Sequence, residues 1–341
     1  MAIKSSLAFG PEENKATSLA MREFTLYAGL NTVPAMIVRV DIKSMSKSAS
    51  ALRLSTGEDS IYSLLIVGDH LYAGLYTSPG KIVKVHLASF SKVETLTLPI
   101  GENWVSSLAS SNGFLYAGLR MWPGKIVKID LNTFKRTGLL ELRPGENNVY
   151  SMAISDRHLY ANIAMNPGGV AKIDLETFRQ VGSLRFLPGE DFAQPVYISG
   201  DFLFAGFYSK PGGIARVDLR KFEQVDPSAH FYKDEDNVRS LVVHQGFVYA
   251  GLDTRPGKII RLDQNLRRLD TLSLEEGYDG VYAFVPLNDL IVCCIYSSPG
   301  RILLLSSGTP SESSSYQIAF FVFSFILLCL AFWIFRKKKL K

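Results

Sequence analysis

Disulfide chemistry has almost no material here: Cys293, Cys294 and Cys329 are the only cysteines in 341 residues, too few for a framework of bridges. Cys293 and Cys294 are neighbours, and neighbours on a strand point to opposite faces, which disfavours a bond between them. Asn-x-Ser/Thr acceptors are missing although twelve asparagines are present. Both absences fit a reducing compartment. The N-terminal residues MAIKSSLAFGPEEN lack the apolar stretch, about 7–15 residues long, of a secretory leader. Excess charge is missing too. The net charge is +5, but the last six residues, RKKKLK, hold five cations, and residues 1–335 balance 32 cations against 32 anions. A neutral body excludes the basic footprint of a nucleic-acid binder.

Repetition is what the chain does have. LYAGLYTSPGKIVKVHL at 71–87 returns as LYAGLRMWPGKIVKIDL at 115–131, LYANIAMNPGGVAKIDL at 159–175 and VYAGLDTRPGKIIRLDQ at 248–264. The turn prolines Pro34, Pro79, Pro123, Pro167, Pro211, Pro256 and Pro299 mark seven units spaced by 45, 44, 44, 44, 45 and 43 residues. Within one unit, Val149–Ile154, Leu159–Ala164, Val170–Leu175 and Val181–Phe186 are short apolar or alternating runs between turn formers. None is long enough for a helix. Four short strands per unit predict an all-β, seven-bladed β-propeller of four-stranded antiparallel blades over residues 1–307.

Turn chemistry supports the count. Ser78-Pro79-Gly80 offers a fixed φ followed by a residue free to take positive φ, joining second strand to third. Asp174-Leu175-Glu176-Thr177 offers an Asp that bonds its own backbone, joining third to fourth. Lys172 and Asp174, two apart on one face, recur as Arg39/Asp41, Lys84/His86, Lys128/Asp130, Arg216/Asp218 and Arg261/Asp263, and imply cross-strand or inter-blade charge pairing. The last unit stops after its third strand, whereas residues 3–9, IKSSLAF, stand where a fourth strand would precede the first unit. That segment is expected to complete blade seven and remove the open sheet edges.

The string VYSMAISDRHLYAN, followed by VAKIDLETF and VGSLRFLPG, resembles the YVTN-type β-propeller repeat. The shared points are an aromatic ending the second strand, the Asp-x-x-Thr turn and a Gly closing the fourth. LYAG replaces that family's own signature, and the Pro-Gly turn is an addition. The Trp-Asp and Gly-His pairs of WD repeats are absent, as is the double Gly of kelch repeats. The resemblance implies a seven-bladed scaffold, WD-repeat-like in architecture, and no particular chemistry.

Catalytic constellations are scarce. His70, His86, His158, His230 and His244 occupy different places in their units. No Cys/His metal spacing, phosphate loop or Gly-x-Ser-x-Gly elbow occurs, so neither a catalytic residue nor a cofactor is assigned. Glu13, Glu58, Glu102, Glu146, Glu190 and Glu235 stand 21 residues before six of the turn prolines, with Tyr278 breaking the series, and an Asn or Asp always follows. An Asx turn before the inner strand is one reading; a ring of carboxylates holding a hard cation near the channel mouth is the other.

Variation is concentrated in two loops. Before the turn prolines the triplets are NTV, YTS, RMW, AMN, YSK, DTR and YSS; after the Glu-Asx pair come Lys15, Ser60, Trp104, Asn148, Phe192, Asn237 and Gly280. Both loops belong to the same end of a blade. That end presents Trp104, Trp122, Phe192, Tyr76, Tyr208 and Tyr296 with Arg120 and Arg255, the composition of binding hot spots. A binding or scaffolding module with a protein partner on this face is the expected function. The alternatives are an enzyme or ligand-binding site at the channel mouth and a lumenal or surface recognition module.

Beyond a linker at 308–315, the span 316–335 contains eighteen uncharged residues, Ile318 to Phe335, with Tyr316 and Trp333 near the two ends, and is followed by the basic tail 336–341. As a helix they cover roughly 27 Å, close to the bilayer's hydrocarbon thickness, which predicts a single membrane span. Lys338 and Lys339 resemble a dilysine retrieval signal of endoplasmic-reticulum membrane proteins. The absent leader and unpaired cysteines place the propeller in the cytosol on an endomembrane. The basic tail argues for the lumenal or extracellular alternative.

Overall fold

Runs of six or seven apolar or alternating residues between turn formers become the strands of each unit. Around Pro167 they are Met152–Ser155, His158–Ile163, Gly169–Asp174 and Arg179–Arg185, paired antiparallel in chain order. The computed structural model describes residues 1–307 and arranges them as seven such sheets. Among the described residues there is no α-helix, and none long and apolar enough to cross a membrane. The linker, the membrane span and the basic tail read from the sequence lie outside the described residues.

Six sheets use consecutive strands. The seventh, Val281–Leu287, Leu290–Ile295 and Arg301–Ser306, takes its outer strand from the other end of the domain, where Ala2–Ala8 pairs antiparallel with Arg301–Ser306. Phe9 is buried just beyond that strand, and the Met1 ammonium lies 3.0 Å from Asp270. The outer strand of blade one is interrupted, with Ser46–Lys47 and Leu52–Arg53 each pairing with Met36–Asp41.

The inner strands, Ala16–Arg22, Ile61–Val67, Val105–Ser111, Met152–Ser155, Ala193–Ser199, Val238–His244 and Val281–Leu287, pack in ring order. Each blade contributes three residues to an axial channel of about 240 Å³, from the inner strand in six blades and from Tyr150, Ser151 and Met152 in blade four. The second strand is buried on both faces, hence the near-continuous apolar text of LYAGL. Gly74 is required there by proximity: a Cβ would meet Val105 Cγ1 of the next blade at 2.7 Å.

Blades are joined by repeated contacts. The Tyr of each LYAG meets a Phe from the next blade's third-to-fourth turn, as in Tyr72–Phe134 at 5.7 Å and Tyr116–Phe178 at 5.8 Å. Such pairs contribute about 0.5–1.5 kcal/mol beyond area burial. The third-strand cations lie over the same rings: Arg39 on Phe90, Lys84 on Phe134, Lys128 on Phe178 and Lys172 on Phe222. Their companion Asp residues hold the turn instead; Asp130 accepts from the Thr133 N–H at 2.8 Å and from its hydroxyl at 3.0 Å. The expected charge pairing is therefore replaced in most blades by a cation–π contact and a self-bonded turn, with Arg261–Asp270 an exception at 3.0 Å.

The Pro-Gly turn also differs from its expected form. Its X-Pro bonds are cis, and the following glycines do not adopt positive φ. They are needed for close approach. A Cβ on Gly168 would lie 2.8 Å from the Ala193 N of the next blade, and the Gly168 N–H donates to the Glu190 carbonyl at 2.8 Å.

Candidate functional site

The second-to-third turns and the loops entering each inner strand share one end of the ring. The residue at the entry to each inner strand is left-handed in every blade, directly before the strand in six and four residues ahead of Met152 in blade four: Lys15, Ser60, Trp104, Asn148, Phe192, Asn237 and Gly280, with φ of 58°, 54°, 58°, 56°, 51°, 57° and 27°. For Trp and Phe this conformation is an outlier that the surroundings must enforce. They do so by stapling. The Trp104 N–H donates to Thr77 O of the preceding blade at 2.9 Å, while its carbonyl accepts from the Arg120 N–H of its own blade at 3.2 Å. Equivalent N–H bonds occur at all seven positions, and equivalent carbonyl bonds at six. Blade four departs because Asn162 stands where five units have Gly and the seventh has Cys294; its Oδ1 accepts from the N–H groups of Tyr150 and Ser151 at 2.7 and 2.8 Å.

Blades two to four turn this scaffold into a pocket. Trp104 stacks on Tyr76 with ring centres 5.7 Å apart, and Tyr76 on Tyr62 at 4.7 Å. The Arg120 guanidinium lies between two rings, 5.0 Å from the centre of Tyr76 and 4.3 Å from that of Tyr150. With Met121, Trp122 and Asn148 these residues line a cavity of about 420 Å³. Trp122 forms an exposed edge, 78% accessible. The structure thus brings together Tyr76, Trp104, Arg120 and Trp122 from the sequence set.

The remaining members lie elsewhere on the same end. Tyr208 donates to Asp253 at 2.8 Å, and burial followed by that bond pushes its phenol up to about 12. Tyr282 donates to the same carboxylate at 3.1 Å and stacks on Tyr296 at 4.3 Å. Tyr296 accepts from the Asn31 amide at 3.0 Å. Arg255 is exposed and 3.7 Å from Asp279, and Phe192 is half-exposed outside the pocket lining. Tyr150 and Met121 were missed as site residues. A signal existed: Thr17, Tyr62, Ser106, Tyr150, Gln194, Arg239 and Tyr282 follow the unit spacing, and all line the channel.

The six glutamates do not converge on a cation. Each is committed to a clasp against the next blade's outer strand. Glu102 pairs with Arg136 at 2.6 Å, Glu146 accepts from Gln180 at 2.6 Å, and Glu190 from Gln224 at 2.7 Å. Glu13 meets Lys47, Glu58 meets Lys92, both at 3.0 Å, and Glu235 meets Arg268 at 2.6 Å. None lines the channel, and among the described residues no group of three or more acidic, His or Cys side chains could hold a metal ion. The loop cap expected from the Asx residue is supplied by the Glu before it: Glu58 accepts from the Ser55 N–H at 2.8 Å, while Asp59 Oδ1 is buried without a partner. Tyr278, which breaks the glutamate series, sits under Arg301 at 4.3 Å.

No family model matches the chain, and no curated protein sequence does. Solved structures do. The chain is similar to the structure of U3-55K, with 12% identity, a TM-score of 0.69 and coverage of 88% of this chain and 98% of that one. The RRP9 WD40 repeats match with 12% identity and a TM-score of 0.69 over 88% of this chain and 97% of theirs. A computationally designed protein, Ika8, matches with 12% identity and a TM-score of 0.59 over 88% and 98%. At that identity the likeness shows the fold: a β-propeller with WD40 structural neighbours.

Proposed function

We propose that this seven-bladed propeller is a protein-interaction scaffold that receives its partner on the variable-loop end, with the pocket over blades two to four as the anchor point. One observation carries the reading. Tyr76, Trp104, Arg120 and Trp122 gather around an open cavity, whereas the glutamates are occupied in clasps between blades. Trp, Tyr and Arg are the residues that dominate interface energetics. WD40 propellers as structural neighbours support a scaffold.

The test is the double variant Trp104→Gly, Trp122→Ala in the full chain. Gly suits the left-handed position 104, and Trp122 is mostly exposed, so the thermal midpoint should stay close to wild type. Losing two hot-spot residues, each worth about 2 kcal/mol or more, should lower partner affinity by roughly 100-fold or more, and proximity labelling should lose the partners of the wild-type protein. An unchanged labelling set would refute the reading.

The second part of the proposal is tethering: residues 316–335 hold the propeller on the cytosolic side of an endomembrane. The eighteen-residue uncharged run supports the tether, and the free cysteines Cys293 and Cys294 support the cytosolic side, against the pull of the basic residues after the span. A glycosylation acceptor appended after Lys341 should then be modified, because that end would be lumenal. An unmodified C-terminus together with a glycosylated acceptor placed in a propeller loop would reverse the orientation.

A further inference from the structure

The pocket over blades two to four has a charge of one sign. Its lining is Tyr76, Trp104, Arg120, Met121, Trp122, Asn148 and Tyr150: one cation, no carboxylate, otherwise aromatic or neutral side chains. Most other cations on this end are neutralised or spread. Arg255 faces Asp279, Lys210 faces Asp236, and Arg53 pairs with Glu12 at 2.9 Å. Arg120 has no such partner among the described residues; its guanidinium is held by ring faces alone. Two ring faces attract a guanidinium but offer its N–H donors no oxygen or nitrogen acceptor, so those donors remain available to an anion. A planar guanidinium with its donors available matches a carboxylate bidentately. Beside it, Trp104, Met121 and the exposed Trp122 form an apolar wall.

We infer that this pocket takes a partner segment carrying a carboxylate next to a bulky apolar residue, an acidic–apolar peptide. The inference rests on reading the variable-loop end as the partner surface. The volume, about 420 Å³, lies in the range of small-ligand sites and suits one or two side chains. Charge count selects the acid. A phosphate, carrying close to two charges at neutral pH, would meet a single cation here, and no Lys lines the cavity to supply a second. A carboxylate carries one charge and matches it.

The experiment is a peptide array in which Glu-Φ is paired with Gln-Φ, Φ running through the apolar residues, probed with the full-length chain in detergent. Phosphoserine-Φ peptides and a single-stranded oligonucleotide serve as further arms. Glu-Φ peptides should bind at least about tenfold more tightly than their Gln-Φ counterparts, as expected for charge-assisted bidentate bonds. Arg120→Gln should abolish that preference while Φ selectivity persists; Trp122→Ala should weaken Glu-Φ and Gln-Φ binding alike. Equal binding of Glu-Φ and Gln-Φ peptides, a preference for phosphoserine or the oligonucleotide, or acid preference surviving in Arg120→Gln would each overturn the inference. If acid preference is absent while the Trp104/Trp122 double variant still loses its labelled partners, this inference falls and the reading of the face stands.

Discussion

Deleting residues 1–9 lowers the thermal midpoint of the propeller by about 10 °C or more; that is the expected result of a scan on the truncated chain. Packed apolar side chains leave with the segment, Met1 among them. Phe9 is 5% exposed, and Ile3 and Leu7 pack against the cores that flank blade seven. Removing a buried Phe costs about 3–5 kcal/mol, and the two partly buried aliphatics add about 1 kcal/mol each. In a domain of this size each kcal/mol moves the midpoint by about 2 °C. The deletion also uncovers the ladder of Arg301–Ser306, an open edge that invites pairing with other chains. Aggregation on heating should rise, and a synthetic peptide of residues 1–9 added in trans should suppress it. An unchanged midpoint would mean that the ring does not depend on this strand.

The second large effect is expected at the inter-blade clasps. Arg268 donates to both oxygens of Glu235 at 2.6 Å, and the Tyr232 N–H donates to one of them at 3.0 Å. Glu235→Ala strands the guanidinium and the amide together. Removing one partner of a fully buried pair costs about 3–5 kcal/mol. Arg268 is about a quarter exposed, so about 2 kcal/mol is the expected loss in a denaturant titration. The same clasps set the acid limit. Burial alone would raise the carboxyls of Glu58 and Glu235. Hydrogen bonds from Thr95, the Ser55 N–H and Lys92 outweigh it for Glu58, as do those from Arg268 and the Tyr232 N–H for Glu235. Both are therefore held below the ordinary glutamate value of 4.5. A depressed folded value means that the stabilisation is complete above pH 4.5 and fades as pH falls through the folded values. Denaturant midpoints of the wild type should drop on acidification below pH 4.5, and Glu235→Ala should show a shallower drop. Equal slopes would remove the clasp from the account of acid sensitivity.

The period of the turn prolines carried the number of blades, because a propeller repeats its core contacts and its text with them. The side-chain pattern of LYAGL carried the burial of the second strand for the same reason. What the text could not carry was the destination of side chains crossing blade boundaries. Lys84 and Asp130 read as halves of charge pairs, yet Lys84 covers the Phe134 ring and Asp130 holds its own turn. Glu102 read equally well as a cation ligand, because a carboxylate's partner 34 residues away is invisible without the angle between blades. The candidate site was half legible. Trp104, Trp122, Tyr76 and Arg120 stood out as unlike their counterparts, whereas Tyr150 was read as part of a core strand although it lies just ahead of Met152–Ser155 and reaches the pocket. The left-handed backbone at Trp104 and Phe192 gave no signal at all, since neither residue favours it.

A backbone pinned from both sides at Lys15, Ser60, Trp104, Phe192 and Asn237 displays side chains as different as Ser and Trp, whereas Gly280 has no room for one, since a Cβ there would meet Tyr282 at 2.7 Å. The propeller therefore behaves as a rosette of interchangeable sockets. A library randomised at these sites alone would redraw the binding map while leaving the wheel beneath it unaltered.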